Sequence, residues 1–351
     1  MSNSATEPAP IGLIVNPRSG NDVRRVVASA GSSTLDDKTS IVRRIVRGAV
    51  ANGVTRFVTN REPHYIVRRA TETMTGVHVD YAAAAIDNTE ADSTEAARMM
   101  RANGCAVVVV LGGDGTNRAV CKGWSDVPLI PLSTGTNNAF PVWCEPTVAG
   151  LAAALVARGV VAVDDVSAPA KLVHVEVVLA DQNRASSRWD RRSGVSDESD
   201  IALIDAAAVA DPFVGSLELF DPATMRMLML TRADPSAIGF SAVGGLLHPV
   251  TDAEDHGLCV MLCEPVDAPK RLRVATAPGH LAVVGVRQHR LVRLGEPVTV
   301  DGPAILAFDG ERKRRLLEGD RATLTIRRDG PRVIDVGKVM RMAAQAGFFE
   351  T

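Results

Sequence analysis

A glycine-rich turn with an acid at its centre follows an apolar run in this 351-residue sequence. The run Ala106–Leu111 reads AVVVVL, and the turn Gly112–Thr116 reads GGDGT, which places Asp114 between glycines. Phosphate-cradling turns of the Walker pattern carry a lysine beside the phosphates, and this turn has none. A carboxylate here can instead accept the proton of a substrate hydroxyl, or hold magnesium on the phosphates. The residue types therefore indicate phosphoryl transfer, with Asp114 as the base or as the acid that organises Mg²⁺.

Three glycine-bearing loops follow three predicted strands of the first half of the chain. They are Asn16–Gly20 after IGLIV, Gly112–Thr116 after AVVVVL, and Ser133–Asn138 after VPLIPL. The carboxyl ends of parallel strands meet at one edge of a sheet, and ligands bind there where the strand order reverses. We therefore expect the three loops to lie together at a binding edge.

The residues of the acidic turn could serve a phosphate in two ways. Glycine permits positive φ and lets backbone N–H groups approach an anion, and we expect this of Gly112, Gly113 and Gly115. We expect Thr116 to cap a helix that begins near Asn117, whose N-terminus offers further N–H groups. A plain turn followed by a helix cap explains these residues equally well when they are taken alone. The presence of Asp114 favours the functional interpretation.

The elements that position these loops alternate between strands and helices. Strands are predicted at residues 11–15, 57–58, 77–82, 106–111 and 127–132, and helices at residues 36–52, 62–74 and 89–103. The continuous valines before the acidic turn are typical of a strand that is buried on both faces. Alternation of this kind implies right-handed crossovers and a parallel, doubly wound α/β sheet.

The pattern changes near residue 160. Short strand patterns separated by Asp, Gly and Pro turns then dominate, which is typical of an antiparallel all-β domain. We therefore divide the chain into an α/β domain over residues 1–159 and an all-β domain over residues 160–332. We expect the amphipathic segment at residues 333–351 to pack back on the first domain. The polar, serine-rich segment at residues 184–200 predicts a mobile loop.

Composition excludes several classes of partner. The net charge of −2 and the short basic runs offer no basic face for nucleic acid. No apolar run reaches the roughly 20 residues that a membrane helix needs, and no signal peptide is visible. The five cysteines are interpreted as reduced thiols of a cytoplasmic protein, and the seven histidines show no spacing that predicts a metal site.

Four spaced motifs resemble one superfamily. LGGDGTNRAV resembles the GGDGT signature that NAD kinases share with diacylglycerol and sphingosine kinases, and IVNPRSG resembles their Asn-Pro-x-x-Gly turn. Thr231–Pro249 is similar to a segment of NAD kinases, and AFDGERKRRLLEGD is similar to a C-terminal run of the superfamily. PLSTGTNNAFP is similar to the branch called the acetoin-catabolism X proteins. The resemblance implies an N-terminal α/β domain, a C-terminal β-sandwich and a ligand cleft between them.

The resemblance also implies an activity and a set of site residues. It implies phosphoryl transfer from ATP, with Mg²⁺, to a hydroxyl of NAD or a related nucleotide, in a homodimer assembled through the β domain. Asp114 is then catalytic. The implied nucleotide-binding residues are Asn16, Pro17, Gly20, Gly112, Gly113, Gly115, Thr116, Thr134, Gly135, Thr136, Asn137, Asn138 and Asp205, with second-domain contributions from Thr231, Ser236, Asp309 and Glu311.

Departures from the NAD kinase pattern leave two alternatives open. Ile204 stands where NAD kinases have an asparagine, Ile238 where they have a tyrosine, and Arg232 begins the triplet that replaces Pro-Thr-Gly. The lost contacts favour a protein that binds a nucleotide without turnover. Glu311, which follows Asp309 and a glycine as in lipid kinases, favours a lipid or small-alcohol kinase instead.

Overall fold

A computed structural model of the chain describes residues 7–19, 34–82, 86–134, 138–180, 199–210 and 224–350. Within these ranges a parallel sheet flanked by helices is followed by two antiparallel sheets. This arrangement confirms the predicted fold class.

The first sheet has the strand order β3–β2–β1–β4–β5–β18–β6. Its strands are β1 (Ile11–Val15), β2 (Arg56–Thr59), β3 (His78–Tyr81), β4 (Val107–Gly112), β5 (Pro128–Ser133), β6 (Ser167–Pro169) and β18 (Arg332–Ile334). Neighbouring strands run parallel except for β18 with β6. The order reverses between β1 and β4, so the loops after these two strands flank the point where sheets of this kind bind ligands.

Helices cover both faces of this sheet. They are α1 (Leu35–Ala51), α2 (Ile66–Thr71), α3 (Glu90–Ala102), α4 (Asp114–Gly123), α5 (Pro146–Ala157), α6 (Val163–Val166) and α8 (Val336–Gln345). Successive residues of β1 point to opposite faces: Leu13 lies in one core with Ile45 of α1, and Ile14 lies in another with Met100 of α3 and Val120 of α4. Burial on both faces explains why these strands are continuously apolar.

The predicted long helix over residues 62–74 is wrong, because only Ile66–Thr71 is helical. The carboxylate of Glu62 accepts hydrogen bonds from the backbone N–H groups of His64 (2.7 Å) and Ile66. Tyr65 has a left-handed backbone conformation with φ 51°. These local bonds compete with helical ones and delay the start of the helix.

Helices α1 and α5 pack closely at two glycines. A Cβ atom at Gly150 would lie 2.0 Å from the carbonyl oxygen of Ile45, and one at Gly48 would lie 2.2 Å from the carbonyl oxygen of Thr147. Because both contacts are with backbone, the helices would have to move apart to accept a side chain.

We expect Gly150→Ala to lower the free energy of unfolding by roughly 1–3 kcal/mol, the usual cost of overpacking a core. The matched control is Gly337→Ala in α8, where the position is exposed and the nearest atoms, both 3.3 Å away, end the side chains of Arg341 and Asp335. The control should be neutral, or more stable by up to about 1 kcal/mol, because alanine favours the helix. Urea unfolding of both variants checks this; equal stability would contradict the close packing.

The second part of the chain contains two antiparallel sheets packed face to face. One has the order β12–β13–β11–β10–β9–β15–β16 and the other the order β14–β17–β7–β8. The strands are β7 (Leu172–Val178), β8 (Ser199–Ala202), β9 (Asp205–Val209), β10 (Met225–Leu230), β11 (His256–Cys263), β12 (Lys270–Ala277), β13 (His280–Arg293), β14 (Pro297–Asp301), β15 (Ala304–Phe308), β16 (Glu311–Leu316) and β17 (Arg321–Arg327). Met229 and Leu306 of the seven-stranded antiparallel sheet share a core with Val175 and Leu324 of the four-stranded sheet. A short helix, α7 (Phe240–Gly245), packs near β10 and β12.

The C-terminal segment lies against the first sheet. Strand β18 pairs in parallel with β5, and α8 contacts α5 with Val339 and Ala343 fully buried. The domain boundaries at residues 159 and 332 stay predictions.

The predicted mobile loop at residues 184–200 needs a correction at its end. Residues 184–198 lie outside the described residues, but Ser199–Ala202 is a strand, and the side chain of Asp200 is 3% exposed. All five cysteines are free. None of the helices in the described ranges is long and apolar enough to cross a membrane.

Candidate functional site

The three predicted loops meet through side-chain hydrogen bonds at the carboxyl edge of the first sheet. Asn16 Nδ2, after β1, donates to Thr116 Oγ1 in α4, at 2.8 Å. The hydroxyl oxygens of Ser19, in the first loop, and Thr134, in the third, lie 2.8 Å apart. These bonds join segments that are 100 and 115 residues apart in sequence.

A buried lysine holds the first of these loops. Lys38 of α1 is fully buried, and its Nζ donates to the carbonyl oxygens of Pro17 and Ser19 at 2.6 Å each. The carbonyl groups of this turn are therefore bound to a cation beneath it. Sequence reasoning missed Lys38, although a lysine near the apolar face of a helix was the available signal.

The acidic turn differs from its predicted geometry in two respects. Helix α4 begins at Asp114 and not near Asn117, and its N-cap is Gly113, so Thr116 lies inside the first turn and does not cap the helix. None of Gly112, Gly113 and Gly115 has a positive φ. Both expectations were wrong because the helix begins directly after the strand without a left-handed turn.

The glycines instead make room for close contacts. A Cβ atom at Gly113 would lie 2.8 Å from Asn138 Oδ1, and one at Gly115 would lie 2.8 Å from Glu311 Oε1. A Cβ atom at Gly112 would lie 2.6 Å from the Thr116 Cβ. The turn therefore lets the third loop and the second domain approach the start of α4.

The Asp114 carboxylate is held by the two residues that follow the third loop. Its Oδ2 accepts the backbone N–H of Ala139 and its Oδ1 accepts that of Phe140, both at 3.0 Å. Burial, followed by the negative charge of Asp309, raises the pKa of Asp114 to about 7, against the two N–H bonds and the positive charge of Arg232. Each carboxylate oxygen retains a second lone pair. A fixed acid with a pKa near neutrality is suited to general base catalysis.

Asp309 joins the second domain to this site from a strained turn between β15 and β16. Its φ is 49°, and its carboxylate accepts the backbone N–H groups of Leu203 at 3.0 Å and Ile204 at 2.8 Å. Burial raises the pKa of Asp309, and the Arg118 guanidinium opposes this increase. The residue thus organises the turn before β9 and places a charge near Asp114.

Arg118 lies at the centre of a buried ion-pair network. Its fully buried side chain reaches Glu90 at 2.6 Å, Asp200 at 3.1 Å, Asp309 at 3.8 Å and Glu311 at 3.9 Å. Burial alone would lower the pKa of Arg118, but these carboxylates outweigh it and the pKa is raised. The network connects α3 and α4 of the first domain to β8 and the β15–β16 turn of the second.

Sequence reasoning missed both Arg118 and Asp200. Arg118 stands four residues after Asp114, a spacing that places both on one face of a helix. Asp200 carried no signal, because it stands at the end of a polar segment.

Among the other predicted residues, two serve the local backbone. The Thr231 hydroxyl donates to the carbonyl of Leu203 at 2.6 Å, and Ser236 donates through its N–H and hydroxyl to the Asp234 carboxylate. The described hydrogen bonds of Ser236 close an exposed turn and do not reach Asp114.

The remaining predicted residues fall into three groups. Asn138 donates to Ser133 Oγ at 3.3 Å beside Gly113, so it belongs to the cluster of loops. Asp205 is buried, and its carbonyl accepts the N–H of Asp309 at 2.9 Å. The preceding Ile204 is buried in the core that also holds Phe140. Gly20, Gly135, Thr136 and Asn137 lie outside the described residues.

Two of the cavities in the structure are lined by described residues, and Asp114 lines neither of them. One of about 130 Å³ adjoins the third loop and is lined by residues that include Arg44, Ser133, Thr134 and Trp143. The other, of about 270 Å³, lies in the β-sandwich beside Cys259. The first cavity is therefore adjacent to the cluster of loops, on the side of Thr134.

The residues near Asp114 do not form a ligand set for a resident metal. In the described ranges, no three His, Cys, Asp or Glu side chains are placed to hold an ion. The carboxylates of Asp114 and Asp309 both accept backbone N–H groups. We therefore assign no step to a protein-bound magnesium ion.

Comparisons with known proteins agree with this architecture. Residues 11–160 match the ATP-NAD kinase N-terminal domain, and residues 191–329 match the acetoin catabolism protein X C-terminal domain. The chain is 36% identical over 344 residues to acetoin catabolism protein X of Cupriavidus necator, covering 95% of this chain and 92% of that protein. It is similar in fold to yeast NADH kinase complexed with NADH, with a TM-score of 0.54 and 12% identity over 99% of this chain and 89% of that one. The chain belongs to the acetoin catabolism protein X family, whose first domain is of the NAD kinase type.

Proposed function

We propose that this protein transfers a phosphoryl group from ATP to a hydroxyl of NAD or a related nucleotide, with Asp114 as the base. The observation that carries the proposal is the Asp114 carboxylate, which lies at the switch point of the sheet with a pKa of about 7. Phosphoryl transfer mainly requires an oriented hydroxyl and neutralised charge. The Asp114 carboxylate orients the hydroxyl, and the N–H groups at the start of α4 offset phosphate charge.

The chain's residues have separable roles in this proposal. The N–H groups at the start of α4 bind phosphate, since the first turn of a helix has no intrahelical partners for them. The hydroxyl oxygen of the acceptor attacks the terminal phosphorus of ATP, the bond from that phosphorus to ADP breaks, and an Asp114 oxygen accepts the hydroxyl proton. ATP enters as its Mg²⁺ complex, so that the metal arrives with the substrate and neutralises phosphate charge. The bonds from Ala139 and Phe140 keep the carboxylate oriented.

We expect the rate to depend on pH through Asp114. The base acts when ionised, so kcat/KM should rise about tenfold per pH unit up to about pH 7 and level off above it. Initial rates between pH 5 and 9 at constant ionic strength measure this profile. A rise that is complete by pH 5 would show that Asp114 titrates as an ordinary aspartate.

The direct test of the activity is incubation of the protein with Mg-ATP and NAD, followed by detection of NADP and ADP. NADH and diacylglycerol in mixed micelles serve as other acceptors, and the second tests the lipid-kinase alternative. NADP formation that depends on Asp114 supports the proposal. A phosphorylated lipid without NADP would replace the nucleotide by a lipid as the acceptor.

A second candidate is a protein that binds nucleotide without turnover. The buried Ile204 favours it, because an apolar side chain packed in a core cannot hydrogen-bond a dinucleotide as an asparagine can. Thermal stabilisation by NAD, NADP or ATP without any formation of ADP or NADP would favour this candidate.

A cytoplasmic location and a homodimer formed through the β-sandwich stay predictions. Light scattering checks the homodimer.

A further inference from the structure

Arg232 lies beside the proposed base, although it comes from the second domain. It follows β10, and its guanidinium carbon is 5.7 Å from the centre of the Phe140 ring. Phe140 is also the residue whose backbone N–H donates to Asp114. Phe140, which follows the third loop, therefore contacts the Asp114 carboxylate through its backbone and the Arg232 guanidinium through its ring.

Among the described residues the guanidinium of Arg232 forms no close ion pair, although the carboxylates of Asp114 and Asp234 interact with its charge. The side chain is partly buried, and among the described residues no carboxylate lies within ion-pairing distance of it. Two other partly buried arginines differ in this respect, because Arg328 pairs with Asp255 and Arg332 with Asp164. A guanidinium has five N–H donors, and those of Arg232 are exposed enough to meet a bound anion. The position is one that a bound anion would complete.

The surroundings add positive charge. Lys171 is buried, and its Nζ donates to the carbonyl oxygens of Thr251 at 2.8 Å and His256 at 2.7 Å. Burial lowers the pKa of Lys171 to about 8; the charges of Asp252 and Glu254 oppose this decrease, and those of Arg328 and Arg232 add to it. A second cation therefore lies near Arg232, although its ammonium already donates to carbonyl oxygens.

The backbone at Arg232 is fixed by α7. The Ser241 hydroxyl donates to the carbonyl of Arg232 at 3.3 Å and accepts the N–H of Asp234 at 3.1 Å. Ser241 itself is buried. The arginine therefore extends from an anchored segment, and a preorganised guanidinium loses little entropy when it binds.

We propose that Arg232 binds a phosphate group of a nucleotide that is bound beside Asp114. The planar guanidinium suits bidentate contact with phosphate oxygens, and Phe140 holds the plane from one side. The identity of the nucleotide rests on the proposed function, whereas the phosphate contact does not. Phosphate could belong to the acceptor or to ATP, and the experiment separates these sources.

The test is calorimetric titration of inorganic tripolyphosphate, NAD and ATP, each alone, into the wild-type protein and its variants. Arg232→Met keeps an apolar contact with Phe140 and removes the charge, so it should weaken tripolyphosphate binding roughly 10- to 100-fold. Arg232→Lys should lose less, because it keeps the charge without the fork. The matched control, Arg226→Met, removes an exposed arginine at the other end of β10 and should bind as wild type does.

If Arg232→Met loses affinity for NAD but not for ATP, the phosphate belongs to the acceptor. If it loses affinity for ATP but not for NAD, the phosphate belongs to the donor. The inference is overturned if wild type does not bind tripolyphosphate, if Arg232→Met binds all three probes as wild type does, or if Arg226→Met loses as much. Thermal unfolding establishes that each variant is folded. Phosphate binding that depends on Arg232 but is accompanied by no NADP formation would remove the proposed function and leave this inference standing.

Discussion

Asp114→Asn should lower turnover by roughly 10²–10⁴-fold while NAD and ATP still bind, because the variant lacks only the proton acceptor. The size of the side chain is unchanged, and one amide oxygen remains to accept a backbone N–H. The amide NH₂ must face the other of the two N–H groups that now bind the carboxylate. Two facing donors cost about 1–3 kcal/mol, so a modest loss of stability accompanies the loss of rate.

Single-turnover rates with Mg-ATP and NAD measure this effect, and calorimetric binding of each nucleotide shows that the site is retained. The matched control is Asp335→Asn at the N-cap of α8, where the aspartate accepts the N–H of Lys338 at 2.8 Å. Asparagine caps a helix as well as aspartate does, so this variant should keep wild-type rate and stability. Unchanged turnover in Asp114→Asn would remove the carboxylate from the mechanism.

Arg118→Met should lower the free energy of unfolding by roughly 3–5 kcal/mol at neutral pH, because removing one member of a buried ion pair leaves the others uncompensated. Methionine fills most of the volume but leaves the fully buried carboxylate of Asp309 without its guanidinium and leaves Asp200, 3% exposed, with Lys122 at 3.2 Å. The loss should fall as the pH decreases, since a protonated carboxyl needs no counter-charge. Burial already raises the pKa of Asp309 and favours its protonation.

Urea unfolding at pH 7.5 and pH 5 measures this prediction. Arg98→Met is the matched control, because Arg98 is an exposed arginine of α3 that pairs with Glu95 at 3.1 Å. Exposed pairs contribute at most about 1 kcal/mol, so the control should stay within that range at both pH values. A loss below 1 kcal/mol for Arg118→Met would mean that the network does not hold the two domains together.

The rate that depends on Asp114 and the stability that depends on Arg118 are linked through Asp309. Its charge raises the pKa of Asp114, and the guanidinium of Arg118 partly neutralises it. If Asp309 stays ionised in Arg118→Met, its charge should raise the pKa of Asp114 further. The acid limb of the rate profile should then move to higher pH. A fully protonated Asp309 would move it to lower pH, so the direction of the shift reports the state of that carboxyl.

Local patterns were sufficient for the architecture and for the place of the acidic turn. Continuous valines identified β4 as a strand buried on both faces, and turn residues between short apolar runs identified the antiparallel second domain. Because parallel strands place their carboxyl ends at one edge, the topology also brought the loops after β1, β4 and β5 together. The four motifs indicated the superfamily, and PLSTGTNNAFP indicated the branch to which the chain belongs. Each of these inferences uses neighbours in sequence or a general rule of sheet connection.

Features that depend on particular long-range partners could not be derived in this way. Arg118 and Asp200 are 82 residues apart, and their contact exists only because β8 packs against α4. The carbonyl groups bound by Lys38, the bond from Glu62 that delays α2, and the place of Arg232 over Phe140 likewise follow from packing. A sequence records which residues are charged, but the depth of burial and the identity of the facing charge decide what each of them does. Residue types and spacing therefore determined the chemistry that is possible at Asp114, whereas the tertiary structure decided its pKa, the residues that orient it and the cation beside it.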